Sequence, residues 1–355
     1  MSGWDARLAW RTFNLNWLPI GALGIALLIA IAVTDFSLEP IAFGLTAATA
    51  FVLAFIAYAH ALVSAEGADP KLVFWLGTTA QVILLTAFVG PLSYVANALD
   101  WPLQDQVLLS IDRAMGLNPE PIAAFVNNHE WLAKIFYSGY GFIKWPLLGI
   151  PVILTLTLRL IRLQQFILAL NIALVVTIVV SAFIPAIGTY YGLNVSPSEE
   201  FPSINSSVYA AQLREILSLR DGSLRQLELY KLAGIVSFPS FHAASGVLYM
   251  WALWPVWGLR SATIGVYALM IAATPVIGAH YIIDVIAGVA LAAGSILLAK
   301  YLFRILASGD TTDAEAGLPG RTMPQLAPGR SYFQDATAEE ARLGRQGYGL
   351  PERLA

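Results

Sequence analysis

The chain contains no cysteine. Disulfides, thiolate metal sites and cysteine nucleophiles are therefore excluded. Charge is scarce as well: Asp, Glu, Lys and Arg make up 12% of the 355 residues, about half the share in a soluble domain. The net charge of -3 lacks the basic excess of a nucleic-acid binder, so no nucleic-acid partner is expected. Only four histidines are present, and any histidine chemistry must be built from them. No internal repeat stands out. The first sixteen residues lack the small-residue cleavage pattern of a removed signal peptide. With Trp4, Arg7, Leu8, Arg11 and Phe13, residues 1–16 suit an amphipathic segment lying at the cytoplasmic interface.

Apolar surface, by contrast, is abundant. Hydrophobic residues make up 57% of the chain and the mean hydropathy is +0.67. They fall in blocks long enough to cross a bilayer. The expected fold is an all-α integral membrane protein of about eight transmembrane helices: Trp17–Thr34, Ile41–Ala65, Leu72–Leu99, Ala133–Leu158, Gln164–Ile187, Phe238–Gly258, the short Ala262–Ile277, and Tyr281–Phe303. Placing the N-terminus in the cytoplasm puts Arg7, Arg11, Lys71, Arg159, Arg162, Arg260, Lys300 and Arg304 on the cytoplasmic side, as the positive-inside rule asks. The acidic connections Asp35–Pro40 and Asp100–Trp131 and the long Gly188–Ser237 segment then face outward, and the C-terminus returns to the cytoplasm. Within the outer connection, Leu103–Met115 has helical apolar spacing and stops at Gly116. Pro119–Asn128 reads as a second short helix capped by Asn118. Four parts follow: the amphipathic segment 1–16, N-terminal transmembrane helices with outer interfacial helices over 17–158, a catalytic transmembrane core over 159–306, and a tail over 307–355. The tail, rich in Gly, Pro, Ala, Arg and Glu, reads as disordered and cytoplasmic.

Chemistry concentrates at the outer ends of the sixth and eighth spans. The sixth opens with Ser237-Phe238-Pro239-Ser240-Phe241-His242, the eighth with Gly278-Ala279-His280-Tyr281-Ile282-Ile283-Asp284. His280 and Asp284 are four residues apart and share one helix face. A carboxylate on one imidazole nitrogen fixes the tautomer and leaves the other nitrogen free as a nucleophile. The charge-based topology brings His242 to the same side and depth, where a second histidine can protonate a leaving oxygen. Ser240 and the N–H groups around it can hold phosphate oxygens. A lone histidine near an interface is more often a packing residue, and His60 and His129 are read that way. A buried Asp284 is harder to dismiss, because an acid inside a membrane costs about 2.5–3.5 kcal/mol on insertion scales.

At these two segments the sequence resembles the type 2 phosphatidic acid phosphatase superfamily. Its Pro-Ser-x-His motif matches Pro239-Ser240-Phe241-His242, and its His-x-x-x-Asp motif matches His280 to Asp284. The resemblance covers roughly Ile184–Phe303. It implies that His280 attacks phosphorus and becomes a phosphohistidine, that Asp284 orients it, and that His242 protonates the leaving group. It also implies metal-independent catalysis without a cofactor, on a lipid phosphate or phospholipid donor with a lipid alcohol or water as acceptor. The Ser-Arg pair usual before the nucleophilic histidine is replaced by Ala273 and Thr274, the Lys-x6-Arg-Pro motif is missing, and Phe241 stands where glycine is usual. The Phe-Pro-Ser-x-His and Gly-x-His-Tyr-x-x-Asp forms look closest to the inositol phosphorylceramide synthase (inositolphosphotransferase) branch.

The missing arginine leaves the phosphate clamp open, and arginine is the natural bidentate partner of phosphate. Lys144 inside the fourth span is one replacement, snorkelling or pairing with Asp284 being the plainer alternatives. Arg225 and Lys231, with Arg214 and Arg220, lie in the outer segment and are further candidates to fold over the phosphate. Two other functions remain open at this stage. A proton-coupled transporter would use His and Asp as a relay, but ionisable groups at mid-membrane depth are few. Metal-dependent hydrolysis at His242, His280 and Asp284 would be revealed by sensitivity to chelators.

Overall fold

The protein is described by a computed structural model over residues 3–63 and 68–315. Helices α1 (Gly3–Leu15), α2 (Trp17–Val33), α3 (Pro40–Val63) and α4 (Pro70–Asn97) come first. Two short helices follow in the connection expected to face outward, α5 (Asp105–Ala114) and α6 (Pro119–Asn127), and then α7 (Glu130–Tyr140). Next come α8 (Trp145–Leu156), α9 (Leu160–Phe183), the small α10 (Thr189–Leu193) and α11 (Pro197–Glu200), α12 (Ser207–Arg220), α13 (Phe241–Leu253), α14 (Arg260–Ile277) and α15 (Ile282–Glu315). Residue pairs β1 (Ser37–Leu38) and β2 (Gln226–Leu227) form a short parallel bridge. It ties the first outer connection to the segment that leads into α13.

This is an all-α membrane protein with several spans. Six stretches among the described residues are long and apolar enough to cross a bilayer: Arg7–Val33, Pro40–Val63, Pro70–Asn97, Leu160–Phe183, Trp257–Ile277 and Ile282–Ser308. A seventh is counted if α7 and α8 form one span. Two of the expected spans are not single long helices. The stretch read as one helix over Ala133–Leu158 is bent by 58° between Ile143 and Trp145, where Pro146 sits in the first turn of α8. Proline there removes a hydrogen bond that a continuous helix would need. The stretch read as Phe238–Gly258 contains a helix of only 13 residues, about 20 Å long, bounded by Pro239 and Pro255. The last helix runs on to Glu315; the rest of the expected tail, 316–355, lies outside the described residues.

Two solvents shape the surface. On α3 the buried residues are Ala50, Ala57 and Ala61, while Phe51, Phe55, Leu45 and Leu62 point outward. Small residues inward and large ones outward is the pattern of a helix packed closely in lipid. The interior runs through α1, α4, α9, α13 and α15, where Phe13, Phe74, Phe166, Leu248 and Tyr249 are buried together. A second apolar cluster lies under the outer helices, around Tyr94, Tyr190, Ile216, Ile235 and Ile277. Among the outer helices, α5 and α6 form where expected, with Gly116 taking a positive φ of 74° just after α5. Asn118 stands at the N-cap of α6 but makes no side-chain cap bond. Pro119 and Pro121 occupy the first and third helical positions, and the third carries no N–H for an N-cap to accept from.

Candidate active site

The site is made where α13 and α15 begin. Ser240 caps α13, its hydroxyl accepting from Ala243 N at 3.4 Å. Its own N–H donates to the Asp284 carbonyl at 3.0 Å, so the two helix starts are joined through backbone. Gly288, one turn further along α15, permits the approach: a Cβ there would collide with the Ser240 carbonyl oxygen. The motif serine therefore serves the architecture first, and it is fully buried.

Asp284 is the hub. Its Oδ2 faces His280 Nδ1 at 3.2 Å and accepts from Ser237 Oγ at 2.9 Å and Tyr281 N at 3.1 Å. An ionised carboxylate only accepts hydrogen bonds, so the proton of His280 belongs on Nδ1 and the lone pair on Nε2. His280 is 3% exposed. His242 is more open and lies with its ring centroid 6.3 Å from that of His280. Tyr140 stacks on the His242 ring at 3.9 Å with nearly parallel planes, and the Tyr140 hydroxyl is 3.2 Å from His242 Nδ1. Gly278 lets these rings crowd together, since a Cβ there would come within 2.7 Å of Tyr140 and 2.8 Å of His280. No three or more His, Asp or Glu side chains among the described residues are grouped to hold a metal ion.

The cations fare unevenly. Lys144 stands exposed at the bend between α7 and α8, and its charge reaches His242. Arg225 is engaged elsewhere. Its Nε donates to Asp35 Oδ2 at 2.8 Å, its Nη1 to the Leu219 and Leu224 carbonyls, and its guanidinium covers the Phe36 ring at 4.8 Å. Lys231 pairs with Glu228 at 2.8 Å on the exposed outer surface, and Arg220 donates to the Trp101 carbonyl. The structure thus brings His242, His280, Asp284 and Ser240 together with Lys144 nearby, whereas Arg225 and Lys231 hold the outer cap. A cavity of about 550 Å³, lined in part by Tyr191, Asn194, Ser198 and Arg214, opens in that cap and does not include the histidines.

Two contacts escaped the sequence analysis. Tyr140 belongs to no motif, and only the fold carries it to His242. Ser237 lies in the quoted stretch, but its bond to Asp284 depends on how the chain turns into α13.

A family model described as the PAP2 superfamily matches residues 106–298, more than half of the chain. The match begins well ahead of the two histidine motifs and takes in α5 to α9 as well. No curated protein and no solved structure matches the chain.

Proposed function

Because the chain belongs to the PAP2 superfamily, we propose that it is a membrane-embedded phosphoryl-transfer enzyme acting on lipid phosphates through a phosphohistidine at His280. The observation that carries this is the meeting of His242 and His280 with Asp284 on the far nitrogen of His280. In the first step His280 Nε2 attacks phosphorus, a P–N bond forms, the bond from phosphorus to the leaving oxygen breaks, and His242 gives that oxygen a proton. In the second an acceptor hydroxyl attacks phosphorus, the P–N bond breaks, and His242 takes the acceptor's proton. Asp284 stabilises the positive charge that the His280 ring carries in between.

The acceptor we assign is a lipid alcohol, which makes the enzyme an inositolphosphotransferase-like headgroup transferase. The form of the two motifs supports this: Phe238-Pro239-Ser240-Phe241-His242, and Gly278 before His280-Tyr281. Lys144 is the cation assigned to the phosphate, and no metal takes part. The site is placed on the extracytoplasmic face, with both termini cytoplasmic, on the charge asymmetry of the connections. Lipid phosphatase activity is the second reading, because water resolves a phosphohistidine as readily as an alcohol does.

Purified protein in detergent, given phosphatidic acid, a polyprenyl phosphate, or labelled phosphatidylinositol with ceramide or diacylglycerol, separates these readings. A new labelled phospholipid, formed equally well with a chelator present, is the expected result. Free phosphate as the sole product would establish the phosphatase instead. Loss of turnover with the chelator would remove metal independence.

A further inference from the structure

Helix α5 carries two buried aspartates, Asp105 and Asp112, 2% and 0% exposed. Seven residues apart, they share one helix face, while Val107 and Ile111 on the same helix stay exposed. Neither carboxylate forms an ion pair among the described residues. Their acceptors are used on the loop that carries His280 and on residues 187–188 beside it. Asp112 Oδ2 accepts from Ile282 N at 2.7 Å and Oδ1 from Ile283 N at 2.8 Å. These are the first two residues of α15, whose N–H groups have no partner within the helix. Asp105 Oδ1 lies 2.9 Å from the Tyr281 hydroxyl and accepts from Gly188 N at 2.8 Å. Asp105 also takes the Ile187 N–H at 3.1 Å. Thr189 N completes the set by donating to the Ala279 carbonyl at 2.7 Å.

Every residue flanking His280 is thus gripped from outside α15: Ala279 through the 187–189 strand of chain, Tyr281 through Asp105, and Ile282 and Ile283 through Asp112. Such a grip is costly. Burial raises the pKa of both carboxyl groups above the ordinary aspartate value, which marks the ionised form as the disfavoured one. A neutral serine or asparagine could cap a helix without that cost. A carboxylate accepting two N–H groups at once does more: it fixes the rotation of the first turn, on which the side chains of His280 and Asp284 depend for their register.

We propose that Asp112, assisted by Asp105, is a positioning residue for His280, holding its Nε2 in line with the phosphorus atom from a helix that lies outside the catalytic pair. This rests on the phosphohistidine reading above. The test uses the full-length protein in detergent with whichever substrate of the panel the wild type turns over, and compares Asp112→Asn and Asp112→Ala with His280→Ala. Arg113→Ala serves as a control on the same helix. Hydrogen exchange of residues 278–285 is followed in parallel. The expected result for Asp112→Asn is a kcat lower by about 10- to 100-fold, the scale of a misplacement near 1 Å, with KM changed by no more than about twofold. Exchange at the start of α15 should quicken, and Arg113→Ala should match the wild type. A purely structural role would lower the yield of folded protein and leave kcat per folded molecule unchanged. An Asp112→Ala protein with wild-type kcat, or with unaltered exchange at 278–285, would overturn the proposal while His280→Ala stays inactive. A fully active His280→Ala would instead bring down the phosphohistidine reading, and the positioning role with it.

Discussion

Two regions on the same side of the bundle were expected to share the work on phosphate, and they differ sharply. At the starts of α13 and α15, His280, Ser237 and Ser240 close on Asp284 through short contacts, and the His242 ring faces them with its centroid 6.3 Å from that of His280. In the outer cap before α13, Arg225 and Lys231 face away to Asp35 and Glu228. The difference is one of constraint. His280 stands two residues before α15 and Asp284 in its first turn, and Asp284 also accepts from Tyr281 N between them, so their meeting is fixed by local backbone geometry. A cation in an irregular segment has no such tie, and it pairs with whatever acid the chain happens to bring near. Charge in a loop says that a partner exists; it does not say which.

The most damaging substitution should be at His280. His280→Ala should lower turnover by about 10³-fold or more, on the scale of losing a covalent catalyst, while the protein still inserts and purifies as a folded bundle. A variant that kept wild-type rates would remove the distinction between the two regions altogether. Next in size is Lys144→Ala. With its charge near His242, its loss should lower kcat/KM by about 10-fold, somewhat less than removing a preorganised donor from a buried oxyanion site. Steady-state kinetics across substrate concentrations would show this, and an unchanged kcat/KM would leave the phosphate without an assigned cation. Arg225→Ala should have the smallest effect on chemistry, with kcat/KM within about threefold of wild type. It should instead cost about 1 kcal/mol of stability, since it removes a partly exposed ion pair and two bonds to carbonyls. Thermal unfolding in detergent measures that loss. A large fall in activity at unchanged stability would return Arg225 to the phosphate.

How much of this was legible in the sequence follows the same division. The long apolar blocks give the spans, because lipid forces each backbone group to bond within its own helix. The paired motifs give the histidines and Asp284. The bend at Lys144 was missed although Pro146 stands beside it, since membrane helices also carry proline without breaking, as α4 does at Pro91 and α14 at Pro275. The shortness of α13 was missed because Trp254 and Trp257 extend the apolar run beyond the helix itself. Tyr140 could not be seen, for its approach to His242 depends on the packing of α7 against α14. Asp105 and Asp112 did leave a trace: two acids seven apart on one face of a short amphipathic helix, where a solvated helix has no reason to align them. What Asp112 grips, however, lies some 170 residues away along the chain and is visible only in the fold.

The most direct test is to catch the intermediate. Purified protein is mixed with substrate labelled at phosphorus and quenched within the first turnover under alkaline conditions that preserve phosphohistidine, and the label is located by peptide mass spectrometry. A phosphohistidine at His280 requires labelled phosphorus on that residue in the wild type and none in His280→Ala. Label on another residue, or full turnover by a protein that never carries label on His280, would contradict it.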